Sequence, residues 1–244
     1  MSDGIYIALS GAVGQLTALD ITAQNLANSP TGGYQAERLA FREALARVER
    51  AGEPARYAAV ATTVVDSSAG VTRATGRGLD VALAEGTYLA VGAPGGERYT
   101  RAGALYVDAT GSLHAPGGVP VLGEDGKPLR APPGVEPSIS PQGELVGPNG
   151  PVGRLRLVTF ARPESLQHEG GSMLATNATA GEPKVASAEG SLRTGTIEDS
   201  NVSVVRAMNE MIRFSRAFEA FERTIHAFHE ADRRVVTSVP SSSG

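Results

Sequence analysis

The residues best suited to chemistry are few in this chain. His226 and His229 stand three apart with Glu230 beside them, a spacing that suits a metal, yet the sequence offers no third ligand or supporting shell. Gly123-Glu124-Asp125-Gly126-Lys127 has the outline of a phosphate-cradling loop. Pro128 follows it, where such a loop needs a helix start with a hydroxyl ligand. Glu124 and Asp125 fall in an apparent turn, and no opposed pair of carboxylates of the kind that cleaves glycans can be assigned. Gly-x-Ser-x-Gly, Walker and Gly-x-Gly-x-x-Gly sequences do not occur. The expectation is a non-enzyme with no catalytic residue, no cofactor and no metal. His114 and His168 lie in turn-rich segments and read as surface residues.

Composition narrows the field further. The chain has 244 residues, 41% hydrophobic and 20% charged, enough to bury a substantial core. Cysteine is absent, which removes thiol nucleophiles, thiolate metal sites and disulfides together. The net charge of -4 comes with scattered Lys and Arg, so no basic run attracts a phosphate backbone and no nucleic acid is expected. Met1-Ser2-Asp3-Gly4 carries an acid where a secretory signal carries Lys or Arg, so a cleaved signal is not expected. No stretch reaches the roughly 18 to 20 apolar residues that a spanning helix needs. The first helix also has no basic residue before Arg38, which disfavours membrane-surface binding.

Ile5, Leu9, Ala12, Leu16, Leu19, Ala23 and Leu26 recur at alternating spacings of four and three, a heptad stripe. Asn28-Ser29-Pro30-Thr31-Gly32-Gly33 then supplies a stop, so a helix is expected over about residues 4–27. At the other end Val204, Ala207, Met211, Phe214, Phe218, Phe221, Ile225 and Phe228 follow the same alternation. Asp199, Ser200, Asn201 and Ser203 are candidate N-caps for this helix, expected over about 204–236. Between the ends, glycine and proline punctuate short β-like runs at 57–65, 79–84, 88–91, 104–107 and 155–160. Turn signals stand at 109–112, 124–127 and 141–144, and Ala51-Gly52-Glu53-Pro54 reads as a joint.

The expected fold is therefore α+β: a discontinuous helical domain of N- and C-terminal heptad helices, coiled-coil-like, flanking an antiparallel, mainly-β central domain. Its boundaries read as 1–36 and 200–244 for a terminal helical assembly domain, 37–75 for an extended or β connecting region, and 76–199 for the β domain. A long helix with one apolar stripe needs a partner. The first stripe is Ala and Leu with Gly4, Gly11 and Gly14 nearby, the last is Phe and Met, so small would meet large. Terminal segments that order on binding their neighbours would let such a subunit polymerise.

The motifs between these elements carry a resemblance. Asn25-Leu26-Ala27-Asn28-Ser29-Pro30-Thr31-Gly32-Gly33-Tyr34 resembles the helix-end signature of flagellar rod and hook proteins. Gly76 to Leu83, then Tyr99-Thr100-Arg101-Ala102-Gly103, is similar to that family's central β motif, and Glu198 to Val202 with Met208, Met211, Arg216 and Phe218 to its C-terminal motif and helix. The chain is thereby identified as a member of the flagellar basal-body rod protein family, nearest its proximal rod members. A distal rod or hook-type axial protein is the alternative within the family, and a periplasmic domain that binds or cleaves cell-wall glycan is the alternative outside it. Gln35 departs from the usual Lys or Arg, and Glu85-Gly86-Thr87 from a Gly-Asp-Gly turn. Val204 and Arg206 replace the usual Pro and Glu of the first turn of the last helix. Arg206 forfeits a capping-box bond and sets positive charge at a positive helix end, about 0.3 to 1 kcal/mol for each effect.

The resemblance implies a structural subunit in the periplasmic rod of the flagellar basal body. It would be delivered without a cleaved signal by the flagellar type III export apparatus and assembled with other rod subunits and copies of itself. It implies assembly or interface roles for Ile5, Leu9, Leu16, Leu19, Asn25, Leu26, Asn28, Thr31, Gly33, Tyr34, Ser200, Asn201, Val202, Met208, Met211, Phe214, Phe218, Phe221 and Ile225. Tyr34 is expected to bury its ring while its hydroxyl finds a partner.

Overall fold

The computed structural model describes residues 2–43, 59–132, 137–148 and 150–238. The joint at 51–54 and the first two residues of the run at 57–65 lie outside them, as does the Ile5 side chain. The chain divides into two units, one of Met1–Gln24, Arg38–Thr63 and Val204–Gly244, the other of Asn25–Glu37 and Val64–Ser203.

In chain order the elements are α1 (Ser2–Ala27), β1 (Glu37–Glu43), β2 (Ala59–Val65), β3 (Thr72–Ala74), β4 (Val81–Leu83), β5 (Thr87–Ala93), β6 (Gly96–Thr100), β7 (Tyr106–Val107), β8 (Leu113–Ala115) and β9 (Val119–Pro120). They continue with β10 (Ser138–Ile139), β11 (Glu144–Gly147), β12 (Gly150–Arg154), β13 (Leu157–Thr159), β14 (Gln167–His168), β15 (Met173–Ala175), β16 (Lys184–Val185), β17 (Leu192–Thr194), β18 (Thr196–Glu198) and α2 (Val204–Ser238). Among the described residues the class is α+β, two α-helices and mainly antiparallel strands.

Within the first unit the terminal helices meet where the sequence placed small against large. A β-carbon on Gly11 would lie 2.6 Å from Cε1 of the Phe221 ring, so only glycine admits that ring. The face of α1 turned inward keeps Ala12 of the predicted stripe but turns out Leu9 and Leu16. Ala8, Ala12, Ala18 and Ile21 are buried, whereas Leu9 and Leu16 are 49% and 44% exposed. Close approach of a Phe-bearing helix selects the small side chains and turns the leucines away.

The second unit is built on a six-stranded antiparallel sheet in the order β14-β15-β6-β5-β13-β16. Its central strand β5 is buried on both faces, and alternation divides it: Leu89 and Val91 join one core cluster, Tyr88 and Ala90 the other. β13 repeats this with Leu157 and Val158. Phe160 sets its ring edge-to-face against Tyr99 at 4.8 Å and Tyr88 at 5.7 Å. Each predicted turn is one, with the glycine at positive φ: Gly111 at 82°, Gly126 at 75° and Gly143 at 73°. The expected strand at 104–107 contracts to β7, because Ala104 instead bridges Asp80. Leu155 likewise bridges Gly123 and leaves β13 to start at 157.

Candidate assembly site

The motif residues gather at one place in the β unit, where the chain that follows α1 runs beside the chain that precedes α2. Asn25, in the last turn of α1, is only 9% exposed. Its Oδ1 accepts the Tyr34 hydroxyl at 3.0 Å and the Glu37 N–H at 2.9 Å, and its Nδ2 donates to the Glu37 carbonyl at 2.8 Å. The carboxamide therefore satisfies both peptide groups of one residue, as a neighbouring β-strand would. Tyr34 is buried as expected, and its ring stacks on His168 at 4.8 Å. Burial, with the Glu37 charge second, pushes its hydroxyl well above the usual phenol range.

Asn201 performs the reciprocal task. Its Oδ1 accepts the Ala36 N–H at 2.7 Å, while Nδ2 donates to the carbonyls of Asp66 and Ser68, both at 2.9 Å. Its own N–H reaches the Tyr34 carbonyl at 3.2 Å, and the Asp66 N–H reaches the Ala36 carbonyl at 2.8 Å. Three strands of chain far apart in sequence are stapled by one side chain. Asn201 is thus not the helix cap that its position suggested. Ser200 accepts the Val202 N–H at 3.2 Å, and Thr31 donates to Asn28 at 3.3 Å, closing the two local turns.

Next to these asparagines lies an ion pair whose members stand in two separate sequence motifs. Arg101 is 0% exposed and Glu198 2%. Nε lies 3.1 Å from both Glu198 carboxylate oxygens, and Nη2 donates to Oε2 and to the Leu83 carbonyl. Nη1 reaches the carbonyls of Ala84 at 2.9 Å and Thr87 at 2.8 Å. All five guanidinium N–H groups are used, the condition for burying such a charge. Glu198 also accepts the Gly70 N–H at 2.8 Å, and its carbonyl accepts the Gly33 N–H at 2.9 Å. Gly33 sits at φ 68°, and a β-carbon there would lie 2.3 Å from the Ala102 nitrogen. The place of Arg101 in the Tyr99-Thr100-Arg101-Ala102-Gly103 motif, and of Glu198 at the head of the C-terminal motif, was the one sequence signal for this pair.

Two further readings are corrected. His168 is no mere surface residue: its Nε2 faces the Gln35 carbonyl at 2.8 Å, which makes that nitrogen the donor, and its Nδ1 is buried without a partner. His114 is held between the Asp108 carboxylate at 3.1 Å and the Gly118 carbonyl at 3.0 Å. Gln35, at 1% exposed, accepts the Tyr88 hydroxyl through Oε1 at 3.2 Å.

The other predicted residues divide by helix. Leu19 and Leu26 are half-buried on α1, as are Met211, Phe214, Phe218, Phe221 and Ile225 on α2, while Met208 is 50% exposed. His226 and His229 are exposed on α2, and among the described residues no group of three His, Cys, Asp or Glu side chains could hold a metal. Among those residues, too, no helix is long and apolar enough to cross a membrane.

Comparison with known proteins follows the same geography. A family model described as flagella basal body rod protein matches residues 5–35, and one described as flagellar basal body rod FlgEFG protein C-terminal matches 193–237. The two matches bring in Asn25, Tyr34, Glu198 and Asn201, and neither includes Arg101. The flagellar basal-body rod protein FlgF of Escherichia coli is 36% identical over 257 aligned residues, spanning all of this chain and 96% of that relative. The chain belongs to the flagellar basal-body rod protein family. FlgF of Salmonella typhimurium is also 36% identical, over 96% of the chain and 97% of the relative. FlgG of Bacillus subtilis is 28% identical over 97% and 98%. The rod protein is FlgF-like along its whole length, and as a member of this family it is a structural rod subunit.

Proposed function

We propose that this rod subunit occupies the proximal rod and polymerises there through its terminal helices, paired as heptad helices in coiled-coil fashion, with other rod subunits and with copies of itself. Residues 1–36 and 200–244 form its assembly domain, 37–75 the connecting region and 76–199 the β domain, and the protein acts by bearing load rather than by catalysis. It reaches the periplasm through the flagellar type III export apparatus without a cleaved signal.

One observation carries this reading. The chain leaving α1 and the chain entering α2 are fastened side by side through the hydrogen-bonded side chains of Asn25, Asn201 and the Arg101–Glu198 pair. Such a junction suits torque, since paired and desolvated hydrogen bonds resist shear at one fixed geometry. Assembly residues of the helices, such as Leu9, Leu16 and Met208, remain exposed and available to neighbouring subunits.

The test is made in the cell of origin. Deleting the coding sequence is expected to abolish swimming and leave basal bodies without hooks. The full chain should restore both, and a chain lacking residues 2–24 should not. Isolated hook–basal bodies should contain the chain, with mass spectrometry placing its N-terminus at Met1 or Ser2. Basal bodies that lack it would sink the rod assignment, and a shortened N-terminus would sink the export route.

A further inference from the structure

Residues 192–201 form a strap across the β unit. Its first strand, β17, lies antiparallel on β4, with Leu192 opposite Leu83 and Thr194 opposite Val81. Its second, β18, lies antiparallel on β3, with Thr196 opposite Ala74 and Glu198 opposite Thr72. Gly195 joins the two strands at φ 66°. Its N–H donates to the Asp80 carbonyl at 2.7 Å, and its carbonyl accepts the Thr75 N–H at 2.8 Å. At the ends, the Ala84 N–H reaches the Ser191 carbonyl at 2.8 Å and the Asp199 N–H reaches the Val71 carbonyl at 2.9 Å. Among the described residues the strap gives no strand to the six-stranded sheet.

Strap and sheet are held by different forces. Leu192 is the strap's one member of a core cluster, Ile197 is half-buried, and β3, on which β18 lies, is exposed throughout. β5, by contrast, buries Leu89 and Val91 in one cluster and Tyr88 and Ala90 in the other. Apolar burial is the dominant favourable term in folding. Hydrogen bonds replace bonds to water and add little net, and a buried ion pair such as Arg101–Glu198 loses much of its attraction to desolvation. Segments fastened chiefly by polar contacts open before an apolar core does, in cooperative pieces.

We propose that residues 192–201 are a latch that opens as one piece while the six-stranded sheet stays folded. Opening releases the chain after α1 and the chain before α2 together, because Glu198 holds Gly33 and Asn201 holds Ala36. Arg101 stays with the sheet and Glu198 leaves with the strap, so the ion pair fixes the register at which the strap closes again. A slip of one residue would turn the carboxylate to the other face of β18. All strands of the sheet lie between Thr87 and Val185. In a chain made N-terminus first the sheet is therefore complete before the strap appears, and the latch closes last. The proposal concerns the β unit alone and does not rest on polymerisation.

Hydrogen exchange on the full-length chain, read residue by residue by NMR, tests it. The amides of Gly33, Thr75, Ala84, Gly195 and Asp199, far apart in sequence, should share one opening equilibrium. Relative to intrinsic rates they should exchange about a hundredfold or more faster than the slowest amides of β5. Their opening should also respond less steeply to urea, since it exposes less surface. Val91→Ala weakens the sheet alone, so it should speed β5 exchange about tenfold or more and leave the strap amides within about twofold of their original rates. Asn201→Ala weakens the closed strap and should speed both classes by one factor, because both openings start from the closed state. Strap amides that match β5 in rate and urea slope, or that follow Val91→Ala, would make strap and sheet one cooperative unit and overturn the latch. Unrelated rates among the five amides would overturn it too. The comparison in the unaltered chain decides the matter should a variant fail to fold.

Discussion

Arg101 and Glu198 lie ninety-seven residues apart in sequence and form a bidentate pair closed off from solvent, the arginine on the segment after β6 and the glutamate at the end of β18. The pair joins the middle of the β unit to the segment that leads into α2. Its removal exposes how much of the junction depends on it.

Arg101→Met leaves Glu198 as a buried carboxylate without its cation and removes the guanidinium from the carbonyls of Leu83, Ala84 and Thr87, and the expected cost is about 3 to 5 kcal/mol. Glu198→Gln should be of similar severity, because it strands the guanidinium. Urea unfolding of the full chain measures both. Combining Arg101→Met with Glu198→Leu should recover part of the loss, and full additivity would show that the two side chains act independently.

Asn25 and Tyr34 separate the contributions of the helix end. Tyr34→Phe removes one hydroxyl from Oδ1, which keeps its bond to Glu37, so the expected loss is about 0.5 to 1.5 kcal/mol. Asn25→Ala removes this partner from the buried Tyr34 hydroxyl and from both part-buried peptide groups of Glu37, and should cost at least about twice as much. Equal effects would mean that the Glu37 contacts contribute nothing.

Two glycines with similar backbone distinguish strain from collision. Gly76, at φ 74°, has nothing within 4 Å of an added β-carbon, so Gly76→Ala should cost about 1 kcal/mol of conformational strain. Gly33, at φ 68°, faces the backbone of Arg101 and Ala102 at 2.3 to 2.6 Å. Gly33→Ala should cost several-fold more than Gly76→Ala in the same denaturation assay, and comparable values would refute the close approach.

Alkaline pH tests the tyrosines. Burial raises Tyr34 and Tyr88 above the phenol value and pushes Tyr99 up to about 12. A raised folded value favours the neutral phenol in the native state. Its stabilisation is therefore complete below about pH 10 and is lost as pH climbs from there through the folded value. Tyrosinate absorbance should show some of the six tyrosines ionising early and the buried ones only with loss of ellipticity. Smooth ionisation of all six near pH 10 in a folded chain would contradict the burial.

Much of the structure was written locally. The helix end at Asn28 to Gly33, the glycine turns at 111, 126 and 143, and the apolar alternation of β5 each follow from neighbouring residues, because caps, turns and pleats are decided within a few positions. The rod-family motifs were legible for the same reason, being short and contiguous. The local signal ran out where two segments had to be compared. Periodicity announced an apolar helix in Ile5 to Leu26, but α1 is apolar on more than one face.

The sequence by itself determined two terminal helices, a turn-rich antiparallel middle and membership of a rod family. Only the tertiary structure decided that Gly11, rather than the leucine stripe, receives Phe221, leaving Leu9 and Leu16 outward. It alone also decided that Asn201 staples residues 36, 66 and 68, and that Arg101 finds Glu198. The reason is physical: a helix face is chosen by how closely its partner's backbone can approach, and a buried charge by which distant groups can satisfy it. Neither choice leaves a pattern in adjacent residues.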